Sequence, residues 1–186
     1  MLAIAGVDYS MNSPAVCIHT GKEWNVTNCE FHFFHKKFTK QDNLYPSLYP
    51  IYTEDFNNTD RFYKLAQWVI DTGIGKCDYI GLEGFAYGAK GRAVFSIPEA
   101  TGFMKCMVCH THGMTFETFS PGQVKKMATG KGNSKKEIIE EHFIKETGIV
   151  LRDIIGQSPK SVTPSSDIHD SYYVTKLLWE KIHLDK

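Results

Sequence analysis

Apolar residues come in short unbroken runs at the start of the chain. Residues 2–8 (LAIAGVD), 14–20 (PAVCIHT) and 27–34 (TNCEFHFF) each have the length and composition of a buried strand. The turn-prone stretches MNSP and TGKEWN separate them, which predicts three strands in an antiparallel meander. Residues 35–58 break the pattern with prolines, tyrosines and asparagines, and read as a long loop or a locally folded insertion. From Asp60 to Asp71 the period becomes helical, with Phe62, Leu65, Ala66 and Val69 on one side. Residues 77–83 (CDYIGLE) and 114–119 (MTFETF) are predicted as a fourth and a fifth strand. Helices are predicted over 93–111, 121–128, 134–146 and 167–182. Strands first, then strands alternating with helices, predict an α/β chain. Its sheet is expected to be mixed and five-stranded, three antiparallel strands followed by parallel ones, with helices on both faces.

The totals narrow the class. A chain of 186 residues with 42% hydrophobic content can bury a substantial core, and one domain over 1–186 is expected. Lysine plus arginine and aspartate plus glutamate both count 21, so the net charge is zero. That excludes a protein that coats nucleic acid or anionic membrane indiscriminately. No apolar run reaches membrane-spanning length and the start has no signal-peptide pattern, so a cytoplasmic protein with no membrane partner is expected. Five cysteines, an odd number without a secretion signal, read as reduced thiols, and the triplets at 25–27 and 57–59 then have no use as glycosylation sites.

The last predicted helix raises a chemical question. Positions 167, 170, 174, 177 and 178 repeat at helical spacing, which puts Asp167 and Asp170 on one stripe with Val174, Leu177 and Leu178. Ser165 or Ser166 as helix cap, with Asp167 in the first turn, explains the first acid. Asp170 lies one turn deeper, where an unpaired carboxylate is costly unless a cation meets it. Two more acids close apolar strand runs, Asp8 in the first and Glu83 in the fourth. If those strands are neighbours and the last helix crosses them, four carboxylates converge. Their repulsion would be relieved by divalent cations, and an all-oxygen donor set selects hard ions such as Mg²⁺ or Mn²⁺ over zinc.

A basic segment complements the acids. Residues 121–136 hold five lysines, Lys125, Lys126, Lys131, Lys135 and Lys136, and no acid. Such a run is often only a solvated face. Here the glycines of TGKGNS leave backbone amides available at the start of the next helix, where phosphate oxygens bind readily. Lys90 and Arg92, just after Glu83, extend the same surface.

The stretch SPGQVKKMATGKGNSKKEIIEE (120–141) resembles the lysine-rich segment of RuvC-type Holliday junction resolvases, and SDIHDSYYV resembles their closing pair of aspartates. With GVDYSMNSPAVCI and GLEGF the similarity spans the chain apart from 35–58. The resemblance implies a ribonuclease H-like fold, a bacterial or phage origin, and a metal-dependent endonuclease that resolves four-way DNA junctions as a homodimer. It implies two Mg²⁺ ions per active site, replaceable by Mn²⁺, held by Asp8, Glu83, Asp167 and Asp170. By motif position Lys125 is the basic residue acting with these acids beside the scissile phosphate, and Lys136 acts on the backbone. Other expectations stay open: a nuclease for branched or flap DNA with little junction preference, a non-catalytic junction-binding protein, or a nucleotide-binding member of the superfamily. A P-loop motif is absent, which speaks against the last.

The chain departs from the resolvase pattern after the glutamate. GFAYGAKGR offers Phe85 and Tyr87 at an unexpected spacing, and either could stack on an unpaired base or belong to the core. CMVCH (106–110) matches a haem-attachment pattern but lies in an apolar helical stretch, so buried thiols and no haem are expected. His169, between the two aspartates, should point away from both on a helix and is not expected to bind metal.

Overall fold

The computed structural model describes residues 1–10, 12–35, 48–52, 60–85 and 93–184. Strands β1 (Ala3–Asp8), β2 (Ala15–Thr20) and β3 (Cys29–His35) form the antiparallel meander. Strands β5 (Tyr79–Glu83) and β6 (Phe116–Phe119) continue the sheet beyond β1, parallel to it and to each other. The five expected strands are joined by a sixth, β4 (Leu48–Tyr52), which lies in the segment read as a loop or insertion. It runs parallel to β3 at the edge, giving the order β4-β3-β2-β1-β5-β6. Its sequence, LYPIY, hides a strand because Pro50 lacks an amide donor and is tolerated only where no further strand has to pair.

Both faces of the sheet are covered, and the strands alternate accordingly. Ile4, Ala15, Cys17, Phe31 and Phe33 point to one core, with helices α3 (Pro121–Thr129), α4 (Lys136–Thr147) and α6 (Ser165–Leu184). Ala5, Val7, Val16, Ile18 and Phe34 point to the other, against α1 (Arg61–Asp71) and α2 (Ala93–His112). Burial on both sides is why β1 reads as a continuous apolar run. A short helix, α5 (Leu151–Ile154), follows α4 and was not expected. None of the described helices is long and apolar enough to cross a membrane.

The packing of α6 on β1 and β5 positions everything that follows. Gly6 and Gly81 face each other in register across those strands. A Cβ on Gly6 would lie 2.3 Å from Thr175 Oγ1 and 2.6 Å from Ser171 O. One on Gly81 would lie 3.0 Å from Val174 Cγ1. The two glycines form a trough into which α6 settles, and the Thr175 hydroxyl sits 2.7 Å from Ser171 O and 3.2 Å from Cys17 O. The N-terminal half of α6, through Thr175, is buried on all sides.

Two local expectations change. Neither Ser165 nor Ser166 caps α6, since both lie within the helix. The cap comes from a distance: Ser165 N donates to Gln157 Oε1, and Gln157 Nε2 donates to Ser161 O. The thiols of Cys106 and Cys109 are exposed, not buried. Helix α2 buries Ala100, Met104 and Val108 on the sheet, and 106 and 109 fall on its other side.

Because backbone atoms limit relaxation at Gly6 and only side chains do at Gly81, the two sites differ in tolerance. Gly6→Ala should cost about 3 kcal/mol of unfolding free energy and Gly81→Ala about 1 kcal/mol. Urea denaturation monitored by tryptophan fluorescence would measure both, and equal costs would contradict this packing.

Candidate metal centre and its basic rim

In an extended strand, alternate residues share a face, so Asp8 follows Gly6 and Glu83 follows Gly81 on the side that meets α6. On the helix, Asp167 precedes Ser171 by one turn and Asp170 precedes Val174 by one turn. The trough that seats α6 therefore delivers two helical carboxylates over the C-terminal ends of β1 and β5. The structure clusters three of the four predicted acids and leaves Asp167 beside them, near enough for its charge to act on Asp8 and Asp170. Oxygens of Asp8, Glu83 and Asp170 lie within 4.8 Å of one another. Among the described residues no donor hydrogen-bonds these three carboxylates.

Asp167 is different. Ser13 Oγ, from the turn between β1 and β2, donates to its Oδ2. Ser166 Oγ lies 3.0 Å from Oδ1, and Lys136 Nζ is 3.7 Å from the same oxygen and 3.1 Å from Ser166 Oγ. Sequence reasoning missed Ser13, whose partner lies 154 residues away and whose turn carries no motif for the role. The pairing of Lys136 with Asp167 was likewise not foreseen.

The electrostatics follow from crowding. Burial, and then Glu83, Asp167 and Asp170, hold the Asp8 carboxyl well above the ordinary carboxylate range. Burial and then Asp170 push Glu83 up to about 8, against the pull of Lys136 and Lys125. Burial pushes Asp170 up to about 6, again opposed by Lys136. Burial also raises Asp167, which its bond from Ser13, Lys136 and Ser166 hold back. Four acids with only partial cationic compensation fit a divalent ion. Oxygens bound to a small octahedral ion at about 2.1 Å stand roughly 3–4 Å apart, within reach of three carboxylates already this close. The donor set is all oxygen, which suits Mg²⁺ or Mn²⁺.

The five lysines lie on α3, at the start of α4 and in the loop between them, a basic rim of which Lys125 and Lys136 act on these acids. Lys125 is half-buried on α3 and its charge acts on Glu83 and Asp170. Lys126, Lys131 and Lys135 are exposed. Lys135 is the N-cap of α4 and makes no side-chain cap, so the first amides of that helix have no capping side chain. The loop before it is pinned by Thr129, whose hydroxyl lies 2.6 Å from Ser134 Oγ. Phe85, two residues after Glu83, is 46% exposed, which places it at the surface and not in the core. Tyr87, Lys90 and Arg92 lie outside the described residues. His169 is buried with its ring 4.5 Å from that of Phe143, and burial pushes its pKa down to about 3. It packs in the core against Phe143.

Solved structures share this architecture. Thermus thermophilus RuvC in complex with a Holliday junction substrate aligns with a TM-score of 0.64 at 13% identity, covering 100% of this chain and 97% of that one. The yeast mitochondrial Holliday junction resolvase aligns at 0.53 and 16% identity, covering 96% of this chain and 78% of that one. A Fowlpox virus resolvase bound to Holliday junction DNA aligns at 0.52 and 16% identity, covering 97% and 99%. No protein-family model and no curated protein matches the sequence. The chain has the RuvC-like, ribonuclease H-like fold, with the expected sheet order and the acids at the ends of its central strands.

The raised carboxyls make stability depend on pH in a stated direction. A group that binds its proton more tightly when folded stabilises the fold at low pH and loses that contribution as pH rises through its folded pKa. Above about pH 7.5 the buried histidines, whose folded pKa values are lowered from an ordinary value of 6.5, are essentially neutral in both states, while Glu83, raised to about 8, still sheds its proton on the folded side. Metal-free protein should therefore lose thermal stability from about pH 7.5 to 8.5. Glu83→Gln should flatten that slope, and millimolar Mg²⁺ should reverse it. Differential scanning fluorimetry with EDTA or Mg²⁺ reads all three; a flat wild-type profile in EDTA would contradict the raised acids.

Proposed function

We propose that the chain is a metal-dependent endonuclease that cuts four-way DNA junctions, acting as a homodimer. The observation that carries this is the convergence of Asp8, Glu83 and Asp170 beside Lys136, in a fold shared with resolvases, two of them solved with junction DNA. Asp8, Glu83 and Asp170 would hold one Mg²⁺ and Asp167 would help hold a second, with Mn²⁺ able to replace either. Bound there, the ions would activate water toward phosphorus and stabilise charge on the departing 3′-oxygen. Lys125 and Lys136 would hold the scissile phosphate against the acids. Lys126, Lys131 and Lys135 would take neighbouring phosphates, which positions a strand without reading its sequence. The Phe85 ring, which is exposed, would stack on an unpaired base. Two symmetric cuts in a two-fold junction call for two sites related by that symmetry, hence the dimer.

Asp8→Asn and Asp170→Asn should each lower cleavage of a synthetic four-way junction in Mg²⁺ by more than about a hundredfold, beyond what loss of an outer-shell partner costs. Both should still bind the junction in EDTA. Wild-type rates in either variant would refute the site. Equal cleavage of flaps and junctions by the wild type would favour a general branched-DNA nuclease, and binding without cleavage would favour a non-catalytic junction protein. Sedimentation with and without junction tests the dimer.

A further inference from the structure

The four carboxylates are not equivalent. Three have no donor among the described residues and their oxygens already lie within 4.8 Å of one another. The fourth, Asp167, is engaged at both oxygens, by Ser13 on one and by Ser166 and Lys136 on the other. The Ser13 contact is buried, but the Lys136 side chain is 47% exposed and begins at the first residue of α4. An ammonium on a flexible four-carbon stem can leave a carboxylate for a nearby phosphate without moving its helix. While it stays, it places a positive charge where a second divalent ion would need Asp167.

We propose that Lys136 gates the second cation position: without substrate it serves as the counter-ion of Asp167, and a DNA backbone phosphate that draws it away frees Asp167 to complete the site. Ser13 keeps hold of Oδ2 throughout, so the released carboxylate stays aimed at its neighbours. This rests on the metal-dependent nuclease reading above and adds an order of assembly to it. The first ion goes to Asp8, Glu83 and Asp170 in the free protein, and the second follows the strand. By linkage the phosphate and the second ion strengthen each other's binding by one factor. A protein built this way carries its complete cleavage site only when a strand is in place.

Counting bound Mn²⁺ by electron paramagnetic resonance on the metal-free full chain, without DNA, tests this directly. The wild type should bind one ion per chain tightly. Lys136→Gln should bind two, with the second tightened by about tenfold or more. Lys136→Arg, which keeps the charge, should stay at one, and Lys136→Gln with Asp167→Asn should return to one. Circular dichroism confirms folding, and the arginine variant remains informative if the glutamine variant is unstable. Two equal sites in the wild type, one site in Lys136→Gln, or two in Lys136→Arg would overturn the gate. If wild-type cleavage needs Mg²⁺ while any of these holds, only the gate is lost. No bound ion in the wild type, together with metal-independent cleavage or none, would remove the metal site itself.

Discussion

The approach of α6 to β1 at Gly6 is the constraint on which the structure depends. A helix normally rides on a sheet at the distance set by side chains on both surfaces. Here the sheet contributes none at two positions in register, Gly6 and Gly81, and the helix offers Ser171, Thr175 and Val174 to fill the gap. The next residue on the same face of each strand is an acid, and one helical turn earlier there is another acid over each strand. Raising the helix by the width of a methyl group would separate the carboxylates of Asp167 and Asp170 from those of Asp8 and Glu83. Fold and site are thus one geometric condition, imposed by the absence of two side chains.

That condition has an electrostatic consequence. Bringing four carboxylates to one edge of a core opposes folding, because each raises the others' affinity for protons. The chain compensates only in part. Lys136 and Lys125 lower the carboxyls, and Ser13 and Ser166 bond to Asp167, while Asp8, Glu83 and Asp170 receive no described donor. Stability elsewhere has to carry the remainder: two apolar clusters pack the two faces of one sheet, and Glu140 and Ser161 O hold Arg152 at 2.6 and 2.8 Å, bracing the loop that enters α6. A site left partly uncompensated by its own protein is one that gains from binding cations.

Much of this was legible in the sequence, for identifiable reasons. Strands buried on both faces leave unbroken apolar runs, so β1, β2 and β5 were visible, and acids that end such runs stand out against them. The stripe holding Asp167 and Asp170 was visible because α6 buries that face. What escaped depends on partners distant in sequence or on which side of an element is covered. Ser13 looks like any turn serine until Asp167 arrives from the other end of the chain. Gln157 caps α6 from eight residues upstream, so the serines nearby drew the attention instead. Cys106 and Cys109 sit in an apolar helix, but their exposure is decided by which stripe of α2 the sheet covers. The edge strand β4 carries a proline that argues against a strand everywhere except at an edge.

The distribution of charge bears on selectivity. With zero net charge, the chain draws a polyanion only through its local rim, and each phosphate contact adds to affinity and to its salt dependence separately. The rim is compact, running from Lys125 on α3 to Lys136 on α4 around one tight loop, so a straight duplex meets it at few phosphates. Its two members closest to the acids are also those whose charges the carboxylates feel most, which leaves them less free to hold DNA at a distance from the site. Under the proposed function, affinity for ordinary duplex should consequently be low, and cleavage should require a backbone that bends far enough to bring one phosphate to the acids while its neighbours meet Lys126, Lys131 and Lys135. In that reading branched DNA supplies the bend at its crossing point. Shape, more than base sequence, is then what such a surface can select.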